Sequence, residues 1–177
     1  MTIVKPNIQI PPDLKSLVVS FATVKGLKFF RKNTGGEHRR LCNLNDYPDL
    51  PVSKRVKAFA EHCYSQFDIP IINEPVFGNF IGVGTDGSFV QEHRDRGVDG
   101  LNHIRLNFLL SKPMAGGMPI IDGVEYSIEE DQCWFNFANL YRHGSTPIQG
   151  SKHRIVLSLG CLVSQNDLGK IKVDAVI

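Results

Sequence analysis

The chain has 177 residues, of which 42% are hydrophobic and 21% are charged, a composition typical of a globular protein with a sizeable core. Its formal net charge of +2 gives no reason to expect a nucleic-acid-binding surface. No apolar run is long enough to cross a bilayer, and the N-terminus lacks a secretory signal. We therefore expect one cytoplasmic domain over residues 1–177 that binds neither a membrane nor nucleic acid.

The N-terminal part, residues 1–70, is expected to support the fold. Residues 1–12 are proline-rich and predict an extended arm, while Leu14–Phe30 fits either strands or a helix followed by a strand. Ser53 is an expected N-cap of a helix that runs to about Phe67. Apolar side chains recur along that helix at helical spacing on one face. They are Val56, Phe59, Ala60, Cys63 and Tyr64.

The next part, residues 71–165, has a β-like pattern and precedes a C-terminal tail at 166–177. Short apolar runs alternate here with Gly, Pro, Asn and Asp, and Asp122-Gly123 predicts a tight hairpin. Several short strands at this spacing predict a mainly β sandwich or barrel. The predicted strands cover residues 75–83, 89–95, 103–110, 118–121, 124–128, 133–137 and 154–163. The four cysteines form no Cys-x-x-Cys pair, which indicates reduced, mostly buried thiols.

A His-x-Asp pair ends one of these strands. Side chains two residues apart share a face of a strand, so His93 and Asp95 can point the same way. Two histidines and one carboxylate on one side of a metal form the facial triad of non-haem Fe(II) oxygenases, which leaves positions open for substrate and oxygen. A solvated pair at a strand end is the alternative for an isolated His-x-Asp.

A third ligand candidate, His143, follows the aromatic run 134–137. A jelly-roll sheet can bring such distant segments together on its inner face. Without His93 and Asp95, His143-Gly144 would be interpreted as a simple turn.

Two further strands place polar residues among apolar ones. Arg154, Val156 and Ser158 share one face of a strand, and a partly buried guanidinium there needs an anionic partner such as a carboxylate. A structural salt bridge is the alternative. On another strand, Arg105 and Asn107 share a face with His103. Facing inward they could orient a cosubstrate, and facing outward they would be ordinary surface residues.

The order His93-x-Asp95, His143, Arg154 resembles the Fe(II)/2-oxoglutarate-dependent oxygenases, and the similarity covers about residues 76–163. The aspartyl/asparaginyl β-hydroxylase-like branch of this family is resembled more closely by three segments. They are residues 82–95, which end in the His-x-Asp pair, Arg105-Leu106-Asn107 and Trp134-Phe135-Asn136. That branch commonly has histidine where Asn107 stands. The resemblance implies a double-stranded β-helix, a jelly-roll or cupin-like fold, with N-terminal helical support.

By this resemblance, His93, Asp95 and His143 would bind Fe(II), and Arg154 would pair with the distal carboxylate of 2-oxoglutarate. Arg105, Asn107 and Ser158 would be further candidates for cosubstrate contacts. The implied reaction uses O2 to hydroxylate an unactivated C–H, with release of succinate and CO2. The branch implies a substrate that is an amino acid, free or within a peptide.

Two questions stay open at this stage. A cupin-type protein that binds another metal or a sugar, without oxygenase activity, is the alternative function, and it leaves Arg154 unexplained. The loops 33–40 and 96–102 are candidates to frame the substrate pocket. Their arginines either meet an acidic group or are ordinary surface residues.

Overall fold

The computed structural model describes residues 6–33, 38–67, 69–76, 78–98 and 100–171. It contains two α-helices, α1 (Pro12–Ser20) and α2 (Pro51–Ser65). The strands are β1 (Arg31–Lys32), β2 (Arg40–Asn43), β3 (Ile72–Asn73), β4 (Asn79–Gly84), β5 (Val90–His93), β6 (Leu101–Ser111), β7 (Ala115–Gly116), β8 (Pro119–Ile121), β9 (Val124–Glu125), β10 (Cys133–Phe137), β11 (His143–Ser145), β12 (Ile148–Gln149) and β13 (Arg154–Ser164). This composition confirms the prediction of a mainly β protein with helices in its N-terminal part.

The strands form a major and a minor antiparallel sheet. The major sheet has the order β1-β2-β4-β13-β6-β10, and β3 also pairs with β13. Its centre is the long pair β6 and β13, each of eleven residues. The minor sheet has the order β5-β11-β8-β9, and β7 pairs with β12 beside it. Side chains from both sheets line one cavity, so the two sheets enclose the space between them.

The two faces of the major sheet have different chemistry because successive side chains alternate. One face is apolar and packs against the helices, with Phe108 of β6 fully buried and its ring 5.3 Å from that of Phe59 in α2. Ile155, Leu157 and Leu159 of β13 belong to the same core. The helices therefore cover one face, which leaves the other for the cavity.

Two boundaries differ from the sequence predictions for identifiable reasons. Helix α2 begins at Pro51, two residues before the predicted cap, because proline has the right φ and needs no hydrogen-bond acceptor in a first turn. Strand β4 begins at Asn79, whereas the predicted strand began at residue 75. The Glu74 carboxylate accepts hydrogen bonds from the amides of Val76 (2.7 Å) and Gly78 (2.5 Å), and these bonds fold the segment before β4 into a turn.

The region predicted ambiguously at 14–30 is helical. Helix α1 continues into a π-helical turn, Phe21–Lys25, and a 3-10 turn, Leu27–Phe29. The predicted hairpin at Asp122-Gly123 is confirmed between β8 and β9, since both residues have positive φ, 48° and 77°.

The cysteine prediction is also confirmed: all four are free and buried. Within the described ranges, no helix combines the length and the apolarity needed to span a membrane. Residues 1–5 of the predicted arm and 172–177 of the predicted tail lie outside the described residues, while Gln165–Lys170 forms a 3-10 helix.

One carboxylate, Glu130, ties α1 to the edge of the β structure. It accepts hydrogen bonds from the ammonium groups of Lys15 in α1 (3.1 Å) and Lys152 (2.8 Å), and from the amide of Lys112 (3.0 Å). Partial burial opposes ionisation of Glu130, but these three donors outweigh it and lower the pKa to about 2, from an ordinary value of 4.5.

We predict that Glu130→Gln lowers the free energy of unfolding at pH 7 by less than about 1 kcal/mol, because the side chain is 36% exposed and solvent screens its ion pairs. Since the folded pKa is depressed, the stabilisation is present above about pH 4.5 and is lost as the pH falls towards 2. Urea unfolding of both proteins at pH 7 and pH 3 measures this, with Glu61→Gln on the exposed face of α2 as control. A difference that does not shrink with pH would contradict it.

Candidate active site

Two histidines meet where β5 and β11 pair. His93 lies directly opposite His143 in this antiparallel ladder, and their ring centroids are 4.5 Å apart. Asp95 follows β5 by two residues, and its Oδ1 lies 3.4 Å from Nε2 of His93 and 3.7 Å from Nε2 of His143. One ligand atom from each residue falls within 4.8 Å of the others, a spacing at which the three could share one metal ion.

Backbone carbonyl groups determine which imidazole nitrogens face the metal position. Nδ1 of His93 lies 2.8 Å from the carbonyl oxygen of Gln91, and Nδ1 of His143 lies 3.3 Å from that of Tyr141. A proton on each Nδ1 satisfies these contacts and leaves the Nε2 lone pairs directed at the metal position. Both histidines are therefore oriented to present Nε2 to a metal.

The two oxygens of Asp95 have separate partners. Oδ1 faces the two histidines, whereas Oδ2 lies 3.3 Å from Nδ1 of His103 and accepts a hydrogen bond from Nε of Arg105 (3.4 Å). Because Oδ2 is held on the protein side, Oδ1 is the oxygen that is presented to a metal.

Arg105 is itself held in place by buried partners. It donates to the carbonyl oxygen of Gly78 (2.7 Å) and to Oε2 of Glu74 (3.5 Å), and it lies 4.8 Å above the ring of Phe80. Arg105 and Glu74 are only 4% and 5% exposed. A buried ion pair needs such hydrogen bonds to offset its desolvation. The contacts form a chain from Glu74 through Arg105 to Asp95.

The charges fit this arrangement. Burial opposes ionisation of Asp95, but the neighbouring His93 and the charge of Arg105 hold its pKa well below the ordinary range. Burial lowers the pKa of His143, which favours its neutral form. Burial, and then the charge of Arg105, lower the pKa of His103 to about 4, so His103 is neutral beside Asp95.

The three candidate ligands open into a cavity of about 440 Å³, which is large enough for a small-molecule ligand. Alternate side chains of four neighbouring strands form its floor. They are Phe80 and Gly82 of β4, Arg154, Val156 and Ser158 of β13, Arg105 and Asn107 of β6, and Trp134 and Asn136 of β10. The polar residues predicted on β6 and β13 thus face inward, next to the candidate ligands.

Arg154 lies half-buried in this cavity. Its guanidinium carbon is 5.9 Å from the ring centre of Trp134, and its Nε, although buried, has no hydrogen-bond partner within the described part of the chain. Burial, and then the charge of Arg39, lower the pKa of Arg154 to about 10. No described carboxylate forms a salt bridge with it. A cation in this position is stabilised by an anionic ligand.

Two other floor residues keep unused hydrogen-bonding atoms. The hydroxyl of Ser158 is fully buried and has no partner among the described residues. Asn107 donates to Oδ1 of Asn136 (3.0 Å), which leaves the buried Nδ2 of Asn136 without a described partner. Buried polar groups are nearly always satisfied, so these atoms indicate a polar ligand.

The structure brings together all seven residues that the sequence singled out, since His93, Asp95, Arg105, Asn107, His143, Arg154 and Ser158 all line the cavity. Sequence reasoning missed the roles of Glu74, His103 and Asn136. A signal for His103 was available, because it shares a strand face with Arg105. Of the loop 33–40, residues 34–37 lie outside the described part, while Asn33 and Arg39 line the cavity.

The fold resembles those of solved oxygenases. A prolyl-4-hydroxylase from Pseudomonas putida superposes with a TM-score of 0.64 at 16% identity, covering 93% of this chain and 94% of that one. A prolyl hydroxylase from Trichoplax adhaerens, in complex with a hypoxia-inducible factor peptide, gives 0.67 at 10% identity, covering 94% and 86%. The non-haem α-ketoglutarate-dependent epimerase SnoN from nogalamycin biosynthesis gives 0.66 at 11% identity, covering 92% and 78%.

These similarities confirm the predicted double-stranded β-helix, and at such low identity they show the fold alone. The sequence matches no protein-family model, and no curated protein is significantly similar to it.

We predict that Arg105→Lys lowers metal affinity roughly 10- to 100-fold, the usual effect of losing a group that orients a metal ligand. Lysine keeps the positive charge but cannot donate at once to Asp95, Glu74 and Gly78 as the guanidinium does. Calorimetric titration with Mn(II) measures the affinity, and thermal unfolding of the metal-free protein checks the fold. Arg31→Lys on β1 is the matched control. A folded Arg105→Lys protein with unchanged Mn(II) affinity would show that Arg105 does not position Asp95.

Proposed function

We propose that the protein is an Fe(II)- and 2-oxoglutarate-dependent dioxygenase. The observation that carries this proposal is the combination, in one cavity, of the His93–Asp95–His143 cluster and the Arg154 cation, for which the described residues provide no carboxylate partner. A metal site alone would fit many proteins. A metal site beside an uncompensated arginine fits an anionic cosubstrate that binds both.

The residues fit this metal and cosubstrate. Two imidazoles and one carboxylate are the donor set that suits non-haem iron while leaving coordination positions open. The unpartnered atoms of Arg154, Ser158 and Asn136 are donors that could serve a carboxylate or carbonyl oxygen. 2-Oxoglutarate carries two carboxylates and a carbonyl group, and so offers acceptors for them.

Each group of residues has a separate task in the proposed reaction. His93, Asp95 and His143 bind iron, which, with O2 and 2-oxoglutarate, supplies the oxidising power that converts a substrate C–H to C–OH with release of succinate and CO2. Arg154 would pair with the distal carboxylate of the cosubstrate, and Ser158, two residues along the same strand face, would be a further donor. The cavity walls limit the access of water to the reacting atoms.

Two predicted contacts are assigned differently within this proposal. Arg105 was a candidate second anchor for 2-oxoglutarate, but its guanidinium donates to Asp95, Glu74 and Gly78, and we propose that it positions Asp95. Asn107 donates to Asn136, and we propose that this hydrogen bond orients the free Nδ2 of Asn136 towards the ligand.

The branch of the oxygenases, the substrate class and the cellular location are also proposals. The motif around residues 82–95 supports the aspartyl/asparaginyl β-hydroxylase-like branch, and with it an amino-acid or peptidyl substrate. The mostly buried, free cysteines are compatible with a cytoplasmic location. A cupin-type protein that binds a metal or sugar, without 2-oxoglutarate, would leave the buried charge of Arg154 uncompensated.

We predict that the protein converts 2-oxoglutarate to succinate with Fe(II) and O2, and that His93→Ala and His143→Ala abolish this turnover. Each substitution removes one of three metal ligands, and the remaining two bind iron weakly. Succinate is measured by mass spectrometry, with His153→Ala, an exposed histidine outside the cavity, as control. Turnover that persists in either ligand variant would refute the assignment of the metal site.

We predict that Arg154→Gln raises the 2-oxoglutarate concentration for half-saturation on the order of tenfold or more, because a hydrogen bond between charged groups contributes about 1.5–3 kcal/mol. Mn(II) affinity without cosubstrate should stay unchanged, which separates this effect from damage to the metal site. Calorimetry on the Mn(II)-loaded protein measures both quantities, and Arg31→Gln serves as control. An unchanged affinity for 2-oxoglutarate would exclude Arg154 as the anchor.

A further inference from the structure

The cavity is lined by more positive charges than the proposed iron and cosubstrate use. Its described lining residues include five arginines and one carboxylate, that of Asp95. The arginines are Arg39, Arg94, Arg96, Arg105 and Arg154. A cleft lined by one sign of charge attracts ligands of the opposite sign and raises their local concentration.

The charges deep in the cavity balance one another. Arg105 is paired with Asp95 and Glu74, and these two carboxylates match the two cations Arg105 and Arg154. A divalent iron and the dianion of 2-oxoglutarate also cancel. At the outer part of the cavity, Arg94 and Arg96 then add net positive charge.

Arg94 and Arg96 flank Asp95 in the chain and are exposed, so they lie on the solvent side of the cavity. Neither forms a salt bridge within the described part of the chain. The neighbouring carboxylate of Glu92 is engaged elsewhere, because it accepts a hydrogen bond from the amide of Gly123 (3.2 Å).

Arg39 lies closer to the reacting groups. It is half-buried and immediately precedes β2, in which Arg40 pairs with Val83 and Leu41 pairs with Gly82. Extending this register by one residue brings Arg39 level with Gly84, which pairs on its other side with Arg154. Arg39 and Arg154 therefore lie on either side of Gly84, and the side chains of Ser88 and Ile148, which also line the cavity, pack over this glycine.

Electrostatics give the same location for Arg39. Its positive charge lowers the pKa of Arg154, in line with their positions on either side of Gly84. Arg39 and the three candidate metal ligands line the same cavity, so a group bound to Arg39 would share that cavity with the candidate metal site.

We propose, on the basis of the proposed oxygenase function, that the substrate carries a carboxylate group and that Arg39 binds it. Arg94 and Arg96 attract the anion to the cavity, and Arg39 holds it beside the reaction centre. The substrate class is therefore a carboxylate-bearing molecule, such as a free or N-acylated amino acid.

A matched set of acids and amides tests this proposal. Protein loaded with Mn(II) and 2-oxoglutarate is mixed with amino acids and N-acetyl amino acids, each present as the carboxylate and as its carboxamide. The compounds retained by the protein are then identified by mass spectrometry. The variants are Arg39→Gln and, as control, Arg40→Gln, the adjacent exposed arginine that does not line the cavity. The affinity of each protein for 2-oxoglutarate is measured separately by calorimetry.

We expect at least one carboxylate to be retained in preference to its amide, and retention to fall on the order of tenfold or more in Arg39→Gln but not in Arg40→Gln. Equal retention of amides, retention that is insensitive to Arg39→Gln, or no retained carboxylate would overturn the proposal. So would a loss of 2-oxoglutarate affinity in Arg39→Gln, which would make Arg39 a cosubstrate anchor. If the wild-type protein does not bind 2-oxoglutarate at all, the oxygenase function itself fails.

Discussion

The two oxygens of the Asp95 carboxylate have different partners, and the site depends on this difference. Oδ2 lies against His103 and Arg105, so Oδ1 is the oxygen that faces His93 and His143. A carboxylate free to rotate could bind a metal through both oxygens and occupy a position that an oxygenase needs for its ligands. The buried Glu74–Arg105 pair opposes this rotation through the hydrogen bond from Arg105 to Oδ2, and its hydrogen bonds to the backbone fix it to the turn before β4. We infer that this chain of contacts keeps the metal site open on one side.

The fold places the chain of contacts from Glu74 through Arg105 to Asp95 beside a second unusual feature, the half-buried cation of Arg154. Both depend on the major sheet, whose outer face is covered by α1 and α2 and whose inner face is free to carry polar groups. Desolvation of a guanidinium is costly unless an anion compensates it. The inner face therefore favours a bound anionic ligand, while the apolar core on the opposite face supplies the stability that the polar face does not.

The candidate ligands His93, Asp95 and His143 and the cation Arg154 could be proposed from the sequence because their order along the chain and their positions in strands can be read from single segments. Alternation along single strands also predicted that Arg105, Asn107, Arg154 and Ser158 share faces that could be turned inward. The roles of Glu74 and Asn136 depend on register between strands, such as the pairing of Asn136 with Arg105, which no single segment encodes. Strand β2, which positions Arg39, has only four residues and weak alternation, so periodicity could not reveal it.

We propose that one cavity binds Fe(II) through His93, Asp95 and His143 and holds 2-oxoglutarate against both the metal and Arg154. The most direct measurement is the visible absorption spectrum of the anaerobic Fe(II)-loaded protein during titration with 2-oxoglutarate. Chelation of Fe(II) by a 2-oxo acid produces a charge-transfer band that neither component shows alone. We predict a band that saturates at one equivalent per chain and is absent in His143→Ala. Iron that binds tightly to the wild-type protein without such a band would show that 2-oxoglutarate does not chelate the metal in this cavity.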